Sequence, residues 1–211
     1  HALAYLGADK RYSMCSAYSD SSQQTKKSDA NIQLDNAFWQ FSLSLYGKAE
    51  VTKFCLALQD QHGMQVNLLL YSIWLSFERC ILEPSLIKQN RQLQNALSEI
   101  IPAIRHARKK VGENSKQDPL YKQLKACELS AEQQAQALLF NLERTPSNLK
   151  LVATESPITT FQSLLKQNLD CCWQAFSATE EKNQQPKLLN EFSEWMIIHC
   201  QRKIVANLNI K

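Results

Sequence analysis

Apolar residues recur every three to four positions along most of the chain, which is the spacing of one face of an α-helix. Segments with this spacing are separated by Gly47, Gly63 and Pro84. The pattern predicts a first helix that Asp35 caps and Gly47 ends, and a second helix that ends at Gly63. A third helix is predicted over about residues 66–80, with Pro84 as its stop.

The third predicted helix differs from the others because it is apolar on nearly every side. Its centre reads "VNLLLYSIWLSF", twelve residues interrupted only by one asparagine and two serines. A membrane-spanning helix needs about 20 apolar residues, so no membrane association is expected. A helix that is apolar all round is typical of the buried centre of a protein.

Two longer segments carry apolar residues in steps of four and three, the heptad spacing of helices that pack side by side. We predict a fourth helix that Ser85 caps, and a fifth that Asp118 caps with Pro119 at its first position. A polar loop beginning at Gly112 joins them, so they are predicted to form an antiparallel αα-hairpin with arms of roughly 40 Å. The predicted seam consists of Leu86, Asn90, Leu93, Leu97, Ile100, Ile104, Ala107 and Val111 against Leu120, Leu124, Cys127, Ala131, Gln134 and Leu138.

Two residues of the first arm require a specific interpretation. Asn90 is a polar residue at a seam position, where a buried asparagine often sets the register of the helices. Pro102 lies off the seam and removes the helical hydrogen bond to Ser98, so it is expected to bend the helix without interrupting the apolar stripe.

The rest of the chain predicts a linker and two more helices. The segment "ERTPSNLKLVATESPIT" is the linker, with an extended stretch at 149–152, and helices follow over about 159–176 and 187–206 with the surface loop "SATEEKNQQP" between them. The fold class is therefore all-α: a compact helical bundle with a central buried helix and a long antiparallel αα-hairpin.

We divide the chain into three parts. Residues 1–31 are predicted to be a disordered tail, since they are rich in Ser, Gln, Lys and Asp. The chain starts with His1 rather than Met, so this tail is expected to include a tag remnant, with Met14 as the native start. Residues 32–144 form the helical core with the hairpin, and 145–211 form an extension that packs on the core or makes a small second lobe.

Composition supports this interpretation and indicates a compartment. Four glycines and six prolines in 211 residues are too few for the tight turns of an all-β protein. Seven cysteines form an odd number with no CxxC pair, and most lie in apolar helical segments. They are therefore expected to be reduced, buried thiols in a cytoplasmic protein.

Positive charge is concentrated on the predicted hairpin. Residues 85–125 contain nine Lys or Arg against three acids, a net charge of +6, whereas the whole chain carries +4. Arg105, Arg108, Lys109 and Lys110 are the centre of this candidate basic patch. Such a patch is typical of a surface for RNA, an acidic protein or phosphate. Without aromatic residues among these positions, a solvated and salt-bridged helix face is the alternative.

A second candidate site is the polar turn before the third helix. Asp60, His62 and Asn67 flank Gly63, and the open N–H groups of a helix start can bind anions or polar ligands. The alternative is ordinary turn chemistry, in which Gly63 adopts a positive φ and Asn67 or a neighbour caps the next helix.

No other residues combine into a catalytic or metal-binding motif. Cys171 and Cys172 are adjacent, as are His199 and Cys200, and neighbours on a helix point about 100° apart, which does not suit one metal ion. Glu128 and Glu132 lie one turn apart, and we expect them on a solvated face opposite the basic arm. We therefore predict no cofactor and no metal.

Four stretches resemble a proteobacterial family that is known as domain of unknown function 2390. They are "FWQFSLSLY", "CLALQDQHGMQVNLLLYSIWL", "IIPAIRHARKK" and "LKACELSAEQQ", and the resemblance extends over residues 36–142. It implies a bacterial, cytoplasmic, all-helical protein and no particular reaction. The region after Arg144 falls outside it.

Three hypotheses for the function follow. The leading one is a non-enzymatic adaptor or regulator that binds a protein partner through a helical surface. The first alternative is an RNA- or ribosome-associated protein that uses the basic arm. The second is an enzyme or small-ligand carrier with a pocket near the turn at His62 and Asn67. The two heptad seams could also pair between chains and give a homo-oligomer.

Overall fold

The computed structural model describes residues 32–146, 157–178 and 186–208 of the chain. The predicted tail 1–31, the extended stretch at 149–152 and most of the loop between the last two helices lie outside these residues. Helices make up nearly all of the described chain, which confirms the all-α fold class. The helices are α1 (Ala37–Tyr46), α2 (Ala49–His62), α3 (Val66–Phe77), α4 (Pro84–Gln89), α5 (Arg91–Asn95), α6 (Ile101–Asn114), α7 (Pro119–Phe140), α8 (Pro157–Phe176) and α9 (Lys187–Leu208).

The first two helices begin and end close to their predicted positions. The N-cap of α1 is Asn36 and not Asp35, because the Asn36 side chain accepts a hydrogen bond from the Trp39 N–H at 2.9 Å. Gly63 ends α2 in the left-handed conformation, with φ 66°, as predicted. This glycine is also required by space, because a Cβ there would lie 2.5 Å from the Cβ of Ala178 after α8.

The helix α3 ends at Phe77, three residues before the predicted Cys80. The chain then forms strand β1 (Cys80–Ile81), which pairs antiparallel with β2 (Thr145–Pro146) directly after the hairpin. Pro84 is the first residue of α4 rather than a stop. Periodicity cannot detect β1 and β2, since two-residue strands are too short to show alternation.

The centre of the fold is α3, as its all-round hydrophobicity predicts. Every residue from Val66 to Ser76 is buried, and α8 packs along one side of the helix while α1, α2 and α7 contact the others. Ser72 and Ser76 donate back to the carbonyls of Leu68 and Ser72, each at 2.8 Å, so their hydroxyls are satisfied inside an apolar surrounding.

The fully buried side chain of Asn168 on α8 joins three segments of the body. Its Oδ1 accepts from the Leu82 N–H at 2.8 Å, and its Nδ2 donates to the Ser76 hydroxyl and to the Cys80 carbonyl, each at 3.0 Å. The residue therefore holds the end of α3 and the start of β1 against α8.

The first arm of the hairpin is not the continuous helix that was predicted. It breaks at Asn90, whose side chain is not a buried register residue but the N-cap of α5, accepting from the Leu93 N–H at 3.0 Å. A single wide turn of π-helix, Ala96–Ile100, then leads into α6. Pro102 lies just after this wide turn, whose altered hydrogen-bond pattern accommodates a residue that has no backbone N–H. The arm continues past Gly112 to Asn114, and Asp118 caps α7 through the Leu120 N–H at 2.7 Å, as predicted.

Candidate functional surfaces of the hairpin

In the outer half of the hairpin the two arms meet through charged side chains, whereas at its base the seam residues Leu93 and Leu97 are buried in the core. Glu128 on α7 accepts hydrogen bonds from both Arg105 (2.8 Å from Nε to Oε1) and Arg108 on α6. Arg105 also donates to Oε1 of Glu132, one turn along α7, at 3.0 Å. We call these four residues the ionic cluster. It joins one carboxylate to two guanidinium groups, and one guanidinium group to two carboxylates.

The ionic cluster is buried. Both glutamate side chains are 0 % exposed, so the prediction that Glu128 and Glu132 lie on a solvated face is wrong. The arginine stems close the cluster, with the Arg108 guanidinium 5.8 Å from the centre of the Tyr121 ring. Buried charges require ion-pair partners and hydrogen bonds, because moving an unpaired charge out of water costs roughly several kcal/mol.

The two glutamates have opposite pKa shifts. Burial alone would raise the pKa of Glu128, but the hydrogen bonds from Arg108 and Arg105 outweigh it, and the pKa is lowered. Burial and the neighbouring charge of Glu128 raise the pKa of Glu132 to about 8, and Arg105 offsets only part of this. Glu128 is therefore ionised at neutral pH, whereas Glu132 titrates near it.

A layer of neutral polar groups continues from the ionic cluster toward α3. Gln136, one turn beyond Glu132 on α7, donates to the side chain of Asn67 at 2.9 Å, and both residues are buried. Tyr46 at the end of α1 is 0 % exposed, and its pKa is raised, first by burial and then by Cys55 and Glu132. The hairpin is thus attached to the body through this polar layer and through core residues such as Leu97, Ile101 and Leu139.

The predicted basic patch separates into two inward and two outward residues. The side chains of Arg105 and Arg108 are only 19 % and 11 % exposed and are used inside the ionic cluster, so they are not surface cations. Those of Lys109 and Lys110 are 60 % and 71 % exposed. The alternative of a salt-bridged helix therefore describes the arginines, although their pairs are buried rather than solvated.

The three residues of the predicted polar turn point to different neighbours. Asp60 is exposed and lies 4.0 Å from Lys109 of the hairpin. The ring of His62 packs edge-on against Trp173, with centroids 5.6 Å apart. Asn67 is buried against Gln136. The turn therefore positions these side chains without bringing them together in one pocket.

In the outer half of the hairpin, the apolar heptad positions lie on the side that faces away from the body, whereas Leu93, Leu97 and Leu138 of the same pattern lie in the core or pack against it. Lys109 on α6 reaches Asp60 of the body, and Gln133 and Gln136 on α7 reach the backbone of Leu34 and the side chain of Asn67. The heptad positions are on the opposite flank of each arm, and in antiparallel helices these two flanks adjoin. We call this surface the outer face; it consists of Ile100, Ile104, Ala107 and Val111 on the first arm and Leu120, Leu124, Cys127 and Ala131 on α7.

Every side chain of the outer face is at least partly exposed. Ile100 is 43 % exposed and Leu120 is 49 % exposed, while Ile104, Val111 and Leu124 are half-buried and do not join the hydrophobic core of the described residues. Ile101 is the buried residue of α6. The predicted seam was therefore right about the spacing and about the burial of Leu93 and Leu97, and wrong about the outer half of the hairpin, where its positions stay partly exposed.

The exposed surface of α7 beyond Lys125 has no charged side chain. The segment 126–140 contains two charged residues, Glu128 and Glu132, and both point inward. Cys127 is exposed at the beginning of this surface, while Cys55, Cys80, Cys172 and Cys200 are buried and Cys171 is half-buried. An ordinary solvated helix face is rich in Lys and Glu, and depletion of charge is typical of interface centres.

Other features of the described residues offer no second site. A small cavity beside Tyr71, Ile87 and Leu142 has a volume of about 10 Å³, which is room for about one water molecule. Within the described part of the chain, no group of three or more His, Cys, Asp or Glu side chains is placed to hold a metal ion. None of the described helices combines the length and hydrophobicity that crossing a membrane requires.

The comparisons with known proteins agree with the resemblance seen in the sequence. Residues 37–139 match the family model described as "Protein of unknown function (DUF2390)", so the chain contains a segment that is similar to this family from α1 to the end of α7. No curated protein and no solved structure gave a match. The matched segment includes the whole ionic cluster and the whole outer face.

Sequence reasoning placed Glu128 and Glu132 opposite the basic arm, but it missed that their contact with Arg105 and Arg108 is buried. Arg105 and Arg108 are three residues apart, and Glu128 and Glu132 are four apart, so each pair lies on one side of its helix. Reading the two arms as antiparallel places these pairs opposite each other. The apolar stripes suggested a different contact because hydrophobic spacing normally identifies the buried side.

Proposed function

We propose that this protein is a non-enzymatic interaction protein that binds through the outer face of its hairpin. The observation that supports this most directly is the inverted distribution of side chains: the charges are buried between the arms, and the apolar residues are left half-exposed outside. Burying charged side chains is costly unless well-placed ion pairs and hydrogen bonds offset the loss of solvation. An exposed apolar surface with heptad spacing is suited to a helical protein partner.

The RNA-binding alternative receives less support than it had from the sequence. Two of its four central cations are engaged by Glu128 and Glu132, and Lys109 and Lys110 remain exposed. The pocket alternative also loses support, since Asp60, His62 and Asn67 have separate neighbours. A bacterial, cytoplasmic setting, expected from the resemblance and from the thiols, stays a prediction.

A charge substitution on the outer face tests the proposal. The tagged protein, its Leu124→Glu variant and its Lys122→Glu variant would be purified from the native host, and the co-purifying proteins, including untagged copies of the chain, would be quantified. Lys122 is the matched control, because it is exposed on the same helix but off the outer face. We expect at least one protein to co-purify with the wild type and the control and to be lost from Leu124→Glu.

Two outcomes would contradict this proposal. One is that Leu124→Glu retains every protein bound by the wild type while remaining folded by circular dichroism. The other is that the wild type retains RNA instead, in a salt-sensitive manner that Lys109→Glu and Lys110→Glu abolish, which would favour the basic arm.

A further inference from the structure

We infer that the outer face binds the outer face of a second copy of this chain, so that two hairpins form an antiparallel four-helix bundle. This inference rests on the proposed function, since it names the partner of the same face. It depends on three features of the hairpin: the matching of its stripes, the distribution of charge around them, and the position of Cys127.

The two stripes of the outer face have the same spacing. Ile100, Ile104, Ala107 and Val111 follow steps of four, three and four, and so do Leu120, Leu124, Cys127 and Ala131. Helices packed by heptad positions require this spacing on both partners. A copy of the same chain supplies it, and a two-fold symmetric interface joins a surface to itself.

The stripes are not fully covered inside the chain, because every residue in them is at least partly exposed. The close contact between the arms is made by other residues: Gly112 lies against Tyr121, where an added Cβ would be 2.8 Å from the ring, and Arg105 and Arg108 lie against Glu128. Because these contacts fix the rotation of each helix, the outer-face positions keep exposed surface for another molecule, although Ala131 also packs against the core.

Charge around the outer face favours one alignment of the two copies. Glu99 is exposed beside Ile100 at the base of the hairpin, and Lys110 is exposed beside Val111 near its tip. They are eleven residues apart and therefore on one side of the arm. If the first arms of two copies run antiparallel, Ile100 lies opposite Val111, and each Glu99 approaches a Lys110 of the other copy. On α7 the uncharged surface avoids repulsion between two chains that each carry +4.

The same alignment places the two α7 helices against each other near Cys127. Arg105 lies at the middle of the stripe on the first arm, and its hydrogen bond to Glu128 puts Cys127 at the same level of the hairpin. The two-fold axis passes through this level. The Cys127 thiols of the two copies are therefore expected to lie close together.

The first measurement is the mass of the protein in solution, which tests whether two copies associate. Light scattering on the purified full chain is expected to give twice the chain mass of 24.2 kDa. Ile104→Glu and Leu124→Glu should give the single-chain mass with unchanged helicity, and Lys122→Glu should keep the double mass. A wild type that stays at 24.2 kDa up to its solubility limit, or a dimer that both outer-face variants preserve, would overturn the inference.

Cross-linking at Cys127 tests the alignment. In a Cys15→Ser background, a short bis-maleimide should join two chains through Cys127, since the other described cysteines are buried or half-buried. Cys127→Ser should remove the cross-link, and Cys127→Ser combined with Lys122→Cys should not restore it. A dimer without a Cys127 cross-link would overturn the antiparallel alignment. If the wild type is a monomer and Leu124→Glu loses a host protein that the wild type binds, the inference of a second copy is wrong and the proposed function stands. If the wild type is a monomer and Leu124→Glu loses no bound protein, both are wrong.

Discussion

The contact between α3 and α8 and the contact between α6 and α7 join helices of the same chain by different chemistry. Between α3 and α8 lie apolar side chains with a few neutral polar groups, and Asn168 is the main hydrogen-bonding residue. Between α6 and α7 lie two arginines and two glutamates. In the body the apolar residues face inward, whereas in the outer half of the hairpin they face outward.

This difference indicates that the contact between α6 and α7 sets the orientation of the helices, whereas the contact between α3 and α8 mainly buries apolar surface. A buried ion pair adds little net stability relative to apolar residues of similar volume, but removing one partner is strongly destabilising. The ionic cluster therefore fixes how the arms are rotated more than it strengthens their contact. The body needs only that apolar surface leave water, and α3 does this on all sides.

The largest effect is expected from breaking the ionic cluster. Glu128→Ala leaves Arg105 and Arg108 without their shared carboxylate in a buried site, so the free energy of unfolding should fall by about 3–5 kcal/mol. Urea denaturation measures this change. Glu113→Ala is the control, since Glu113 pairs with Lys110 in solvent, and a change below about 1 kcal/mol is expected there. Equal effects of the two substitutions would show that the cluster does not hold the hairpin.

A smaller effect is expected from the matching substitution in the body. Asn168→Ala removes the side-chain partner of the Leu82 N–H and of the Cys80 carbonyl, and water can enter the space that it leaves, so we expect a total loss of about 1–3 kcal/mol. Gln167→Ala, at the exposed neighbouring position, is the control. If Asn168→Ala costs more than Glu128→Ala in the same urea series, the contrast drawn between the two regions is wrong.

The smallest effect, for a change of one pH unit, is a dependence of stability on pH. Because the pKa of Glu132 is raised to about 8 in the folded protein, the folded state binds more protons than the unfolded state between the ordinary carboxyl range and that value. Stability should therefore fall as pH rises through this window, by at most about 1.4 kcal/mol per pH unit. Glu132→Gln, which stays neutral, should remove this slope in denaturation curves from pH 5 to pH 9, roughly the window set by the two pKa values.

The lowered pKa of Glu128 has the opposite sign and serves as an internal check. Its ionised form is favoured in the folded protein, so its contribution is complete above the ordinary carboxyl pKa and is lost as pH falls. A Glu132→Gln protein should therefore keep its acid-side loss of stability. If Glu132→Gln and the wild type have the same slope between neutral and alkaline pH, the two glutamates do not titrate separately.

The body could be predicted from the sequence because its apolar residues are the residues that pack inside it. The all-round hydrophobicity of α3, the glycine that ends α2 and the caps at Asp118 and Pro119 each have a single local cause. The pairing of β1 with β2 could not be predicted, because it joins residues more than sixty positions apart, on either side of the hairpin.

The hairpin could be predicted only in part. Its two arms and their antiparallel course follow from the spacing and from the polar loop. The side on which the arms meet does not, because hydrophobic periodicity identifies an apolar side of a helix and not the neighbour that covers it. Asn90 is a further case, since an asparagine at a seam position and an asparagine at a helix start look the same in the sequence.

The wide turn Ala96–Ile100 has a consequence for how this hairpin can change its length. Each residue of a helix advances the rotation by about 100°, and the wide turn sets the rotational phase between α5 and α6. Deleting one residue there would turn the whole arm by that amount and carry Arg105 away from Glu128. We therefore expect the protein to tolerate insertions and deletions in the loop after Asn114, where they leave this phase unchanged, and not at the base of the arm.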